Sequence, residues 1–163
     1  MSEADDLFAQ AYGLSVVDEK HREAIDVCRQ ALTVDPNNWR SRVFLGMLLS
    51  DHGTAEEKEE ARKYFMDAIA LVKDNAELCD NWYEESALHH LAIWEWNHEN
   101  QLDACLLFLA DVWTCRSKAS YGYLLKLLDE LTPKTSADMK IVLAKIADLE
   151  SSPNGCNDAQ NHG

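Results

Sequence analysis

Three stretches of this chain repeat one small-large-small register: EAIDVCRQALTVDP at 23–36, EARKYFMDAIALVKD at 60–74 and DACLLFLADVW at 103–113. A small residue comes first, at Ala24, Ala61 and Ala104. Four residues on stands a larger one, at Cys28, Phe65 and Phe108. Three further on come Ala31, Ala68 and Asp111. Positions i, i+4 and i+7 share one stripe of an α-helix. Small side chains on that stripe let a second helix approach closely, and the larger one fills the space beside them. A chain that does this three times is committed to pairing helices.

The punctuation agrees. Six glycines and three prolines interrupt 163 residues, and β-branched runs are scarce, so the chain reads as all-α. Ser2 with Asp5 forms a capping box that opens a helix to about Val17. Asp18 is placed to cap a second helix, which runs to Val34 and stops at DPNN, where Pro36 cannot continue it. A third helix spans about Asn38 to Asp51, broken by His52-Gly53. Thr54 with Glu57 opens a fourth, on which Ala61, Tyr64, Phe65, Ala68, Ile69 and Val72 make one apolar stripe. A fifth covers about Ala76 to Trp96, a sixth Gln101 to Thr114, and a seventh Ser120 to Leu131. Thr135 with Asp138 caps an eighth that ends near Glu150. The expected architecture is one domain over 1–150, built of about eight helices in four antiparallel hairpins at 2–34, 38–73, 76–114 and 118–150. The polar stretch 151–163 reads as a disordered tail.

Gly46 sits inside the third helix, in RVFLGMLLSDHG, although glycine is about 1 kcal/mol worse than alanine in a helix interior. The expectation is that a neighbouring helix comes too close there for a side chain.

Charge and cysteine content narrow the function classes. A net charge of -14 repels phosphate backbones, so nucleic acid is not the expected ligand, and a basic peptide or protein surface is the better match. The five cysteines (Cys28, Cys79, Cys105, Cys115 and Cys156) form no Cys-x-x-Cys pair, which fits packed thiols in a reducing, cytoplasmic setting. The segment MSEADDLFAQAYG lacks the basic and apolar regions of a secretory signal, and no apolar run reaches the ~18 residues of a membrane span.

The repeated register resembles the second helix of the tetratricopeptide repeat, whose pattern is W-x2-L-G-x2-Y…A-x3-F…P. Leu45-Gly46 followed by Leu49 is similar to the first-helix part of that pattern. Leu91-Ala92 with Glu95 is a weaker copy, Ala11-Tyr12 is weaker again, and Pro36 stands where the terminal proline belongs. Arg42 and Leu88 replace the usual Trp. The intervals, 37 residues from Ala24 to Ala61 and 43 from Ala61 to Ala104, exceed the family's period of about 34. The resemblance covers about residues 5–114, and 118–150 reads as a cap. It implies a short right-handed superhelix of stacked hairpins with a concave face lined by the first helix of each pair. It also implies a non-enzymatic adaptor or scaffold that binds a protein or peptide segment in that groove. By the family's register the groove residues are Arg40, Val43, Met47, Ser50 and Asp51 in the second repeat. In the third they are Ser86, His89, Ile93, Trp96 and Asn97. Trp96 is thereby registered outward and Trp94 inward. The co-chaperone subfamily grips a carboxylate with Lys and Asn, where this chain has Ala9 and Gly13, so that grip is not expected. The small acidic chaperones of type III secretion translocators are similar in size and charge and supply a second reading. Self-association of the helical array is a third.

The search for chemistry finds one dense stretch, EESALHHLAIWEWNHE. Glu85 with His89, and Glu95 with Glu99, stand at the i, i+4 spacing that can hold a metal, which makes a metal-dependent enzyme on the fifth helix the alternative from another class. Against it, there is no H-E-x-x-H, G-x-S-x-G or Gly-rich phosphate loop. Histidine beside Trp and Leu on an amphipathic helix is ordinarily half-buried packing. No catalytic residue, metal or cofactor is assigned.

Overall fold

The computed structural model describes residues 1–74, 87–115 and 118–131, together with Ile141 and Ala144. The described chain is all-helical, and within each compact unit helices adjacent in sequence pack on one another. Two compact units divide it, Met1–Cys79 and Asp80–Gly163.

The first unit holds α1 (Glu3–Val16), α2 (His21–Val34), α3 (Trp39–His52) and α4 (Ala55–Asp74). Local chemistry sets most of their ends. Asp5 N–H donates to Ser2 Oγ at 3.2 Å and Ser2 N–H donates back to Asp5 Oδ2 at 3.1 Å, so the expected capping box opens α1. Asp18 does not cap α2. Its N–H closes back onto Gly13 O, Glu19 takes the left-handed region at φ 54°, and α2 begins after Lys20 with no side-chain cap. Asp18 therefore belongs to the end of α1. At the next turn Asn37 N–H donates to Asp35 Oδ1 at 2.9 Å, and Asn38 caps α3 by accepting from Ser41 N–H at 3.0 Å. Asn38 also donates through Nδ2 to Asp5 Oδ1 at 3.1 Å, tying the start of α3 to the start of α1. Thr54 and Glu57 form the second capping box, with bonds of 2.9 and 3.3 Å.

The connections at 17–20, 35–38 and 53–54 are short, so α1–α2 and α3–α4 are antiparallel hairpins. α2 packs on α3 and α1 touches α3, so the two hairpins stack. Ala24, Cys28 and Ala31 on α2, and Ala61, Phe65 and Ala68 on α4, are all buried. Gly46 explains the register. A methyl group built there would lie 2.6 Å from Phe65 Cε1 and 3.0 Å from Cδ1, closer than carbon atoms pack. The edge of the Phe65 ring thus lies where a Gly46 side chain would be, and α3 and α4 close on each other.

Glu57 joins the hairpins electrostatically. Arg22 Nη1 and Arg29 Nη2, both from α2, reach its two carboxylate oxygens at 2.8 and 3.3 Å. The Arg22 hydrogen bond, then the Thr54 backbone N–H, hold the Glu57 carboxyl down to about 2.

The second unit holds α5 (Ala87–Asn97), α6 (Gln101–Cys115) and α7 (Lys118–Leu131), with α6 packed on both of the others. Ala92, Ala104, Cys105, Phe108, Leu109, Leu124 and Leu127 form its core. Between α5 and α6, Glu99 is left-handed at φ 63°, and Asn100 donates to Glu95 through both its backbone N–H (2.9 Å to O) and Nδ2 (2.6 Å to Oε2). The expected start of the fifth helix at 76–86, including Trp82, lies outside the described residues. So do the side chain of Trp113, almost all of the eighth helix, and the tail at 151–163. Among the described residues, no helix is long and apolar enough to cross a membrane.

Gly46→Ala sets helix propensity against packing. Alanine gains about 1 kcal/mol in helix propensity, while forcing a methyl group against a core ring costs about 1–3 kcal/mol. A melting temperature no higher than the parent's is expected for Gly46→Ala and a clearly lower one for Gly46→Leu, and an unchanged melting temperature for Gly46→Leu would refute the Gly46–Phe65 packing. Glu57 binds its proton less tightly folded than unfolded, so its stabilisation is complete above the ordinary value of 4.5 and is lost as pH falls toward about 2. Acid denaturation of Glu57→Gln should lack that part of the pH dependence.

Candidate functional site

In the first unit the face to consider is built by α1 and α3. Phe8 meets Phe44 edge-on at 5.8 Å, and Tyr12 lies 5.6 Å from the same ring. This aromatic trio fastens the first helices of the two hairpins together. Tyr12 is still 47% exposed, and Val16, one turn further along α1, is exposed as well. On α3, Arg40 and Asp51 are exposed and Met47 and Ser50 are half-buried. The Arg40 guanidinium lies 5.7 Å from the centre of the Trp39 ring. Ala9 is exposed, and nothing lies within 4 Å of where a Gly13 side chain would begin, so this part of α1 is open to solvent.

Val43 departs from its expected place in the groove. It is only 2% exposed. α3 packs against α2 and α4 and also touches α1, so it is buried over most of its circumference and a one-sided register fails there. Arg42, where the family pattern has Trp, spans instead from Asp67 Oδ2 (3.3 Å) to the Pro36 carbonyl. Phe8, Tyr12 and Val16 were missed because α1 carries only the faintest copy of the pattern. Their i, i+4, i+8 spacing was the available signal.

In the second unit the expected groove residues separate. Ser86 lies outside the described residues, Asn97 is exposed, and Ile93 and Trp96 are half-buried against the core. Trp94 points inward as expected, buried and stacked on the His98 ring with centroids 3.5 Å apart. Trp96 is less free than its outward register implied. It meets Phe108 and Tyr123 edge-on at 5.9 and 5.6 Å, and Lys126 Nζ lies 5.5 Å from its ring centre.

His89 corrects the groove assignment outright: it is 5% exposed and faces the unit's interior. Its Nδ1 lies 2.5 Å from Ser120 Oγ, and Ser120 Oγ–H donates to Asp111 Oδ2. The serine proton is spent on the carboxylate, so the His89–Ser120 bond takes its proton from Nδ1–H. Asp111 and Ser120 are fully buried. A nucleophilic serine needs an accessible oxygen whose proton an adjacent base removes, and Ser120 has no such access. The network is a polar tie from α5 through α7 to α6. Asp111 occupies the position that Ala31 and Ala68 hold in the other two copies, and its partners explain why a carboxylate is tolerated there. Burial lowers the His89 pKa below 6.5, and the Asp111 carboxylate 3.9 Å away partly opposes this.

Cys28 and Cys105, both buried, read as packing. Burial alone raises Cys28 to about 12 and Cys105 to about 11, so neither is a thiolate near neutral pH. Among the described residues, no three His, Cys, Asp or Glu side chains come together in a metal-holding group. Comparison with protein-family models and with curated proteins returns no match.

The His89 network makes a testable demand. Asp111→Ala restores the residue type of the other copies but leaves the buried Ser120 hydroxyl without its acceptor, at a cost of about 1–3 kcal/mol. Adding Ser120→Ala should recover part of that loss in a double-mutant cycle. Because the folded-state pKa of His89 is lowered, the stability it contributes is complete above 6.5 and falls as pH drops below that value. An NMR titration of the imidazole checks the direction.

Proposed function

We propose that this chain is a tetratricopeptide-like interaction module that holds a protein or peptide segment along the α1–α3 face of its first unit. The observation that carries this reading is the pairing of first helices. Phe8, Tyr12 and Phe44 bring α1 beside α3, while Tyr12, Val16 and Met47 leave apolar surface there. Apolar side chains at helical spacing, with Arg40 and Asp51 in reach of solvent, suit an extended or helical peptide that brings its own apolar anchors. The buried small-large-small stripes and the Gly46–Phe65 approach support a repeat architecture by the physics that shapes tetratricopeptide hairpins.

The chain's charge of -14 favours a segment with basic residues around those anchors. The free, buried thiols of Cys28 and Cys105 fit a reducing compartment such as the cytoplasm. Recognition by this face is binding without chemistry.

Capture of partners from a source lysate tests the reading. The Tyr12→Ser, Met47→Ser double variant should keep the helical circular dichroism of the parent and lose most of the captured partner. Partner retained by the parent should fall away as salt rises. Undiminished capture by the folded double variant would remove the α1–α3 face as the site.

A further inference from the structure

The first unit carries a pair of histidines that neither the repeat pattern nor the proposed binding face uses. His21 opens α2 and His52 closes α3, so the pair bridges the two hairpins. Their rings are stacked, with centroids 3.6 Å apart and planes within 3° of parallel. His21 Nδ1 lies 3.0 Å from Ser15 Oγ at the end of α1. Ser15 is itself buried, so that bond anchors the His21 ring. His52 is exposed and His21 half-buried, so solvent reaches the pair. Among the described residues, no protein group is hydrogen-bonded to His21 Nε2 or to either ring nitrogen of His52.

We infer that His21 and His52 form a two-histidine site for a divalent transition-metal ion, Zn²⁺ in the first instance, clipping α2 to α3. Two imidazoles on one tetrahedral zinc, each bound at about 2.0–2.1 Å, hold their nitrogens about 3.3 Å apart. The fold brings the two rings face to face from two helices, so both come within reach of one ion once the stack opens. Ligation needs the parallel planes to open like a book, through side-chain rotations that the exposed His52 is free to make. His21 binds through Nε2, keeps Nδ1–H and donates it to Ser15 Oγ. A hydrogen bond on the far nitrogen orients a metal-binding imidazole in this way. Water completes the coordination shell. Imidazole donors without carboxylate suit Zn²⁺, Cu²⁺ and Ni²⁺ and disfavour Ca²⁺ and Mg²⁺. Such an ion would brace the stacking of the two hairpins without touching the α1–α3 aromatic trio.

Zn²⁺ alone, titrated calorimetrically into the full chain after chelator treatment, tests this. The expected result is one ion per chain, with His21→Ala and His52→Ala each weakening the affinity at least tenfold. Ser15→Ala should weaken it less, and His90→Ala should leave it unchanged. On the parent chain, the imidazole ¹⁵N resonances of His21 and His52 should move on adding zinc, so the proposal is checked even if a variant folds poorly. Zinc should also raise the melting temperature of the parent and not that of His52→Ala. No binding at micromolar zinc, or equal binding by the His21→Ala, His52→Ala double variant, would overturn the site. The second outcome would assign the ion to the thiols or to the histidines of the other unit.

Discussion

The first unit depends on how closely α3 can approach α4, and that distance is set by one missing side chain. With hydrogen in place of a methyl group at Gly46, the Phe65 ring packs against the backbone of α3. Helix packing is usually described by side chains of one helix lying between those of the other. Here one partner of the interlock is bare backbone, so there is little slack for anything larger. The rest of the unit is arranged around this contact. α3 is pressed close enough to be buried on most sides, its first turn is held to α1 through Asn38 and Asp5, and α2 is fastened to the start of α4 through Glu57.

The second unit uses the same stripe to a different end. Phe108 plays the part of Phe65 and lies at the centre of an aromatic group with Trp96 and Tyr123. The third position of the stripe, Asp111, is a buried carboxylate where the other copies have alanine. A buried carboxylate is costly unless its oxygens are satisfied, so it must bring partners with it. Ser120 and His89 are those partners, and they draw α5 and α7 onto α6. The position that breaks the repeat is thereby a cross-link particular to this unit. It also turned His89, from the most chemical-looking stretch of the sequence, into part of the packing.

Much of the fold was legible because its signals are local. The capping boxes at Ser2–Asp5 and Thr54–Glu57, the stop at Pro36 and the buried Ala24, Ala61 and Ala104 stripes are all written within a few neighbouring residues. Asp18 was misread because a carboxylate before a helix looks like a cap whether or not the backbone turns to use it. Here Glu19 takes the turn. The site was less legible. Arg40, Met47, Ser50 and Asp51 do reach the surface or its edge, whereas Val43 and His89 do not. Exposure on a helix that touches several others depends on where each neighbour sits, and periodicity along one helix carries no record of that.

The sequence by itself determined that this chain is helical, where most of its helices begin and end, and which stripe of three of them is buried. Helix propensity, capping and periodicity act over a turn or two, so they can be read without the partner helix. Tertiary structure alone decided that Gly46 receives Phe65, that His89 closes onto Ser120 and Asp111, and that His21 stacks on His52. These pairs are 19, 31 and 31 residues apart, and nothing in the local chemistry of either member names the other. The packing of whole helices does.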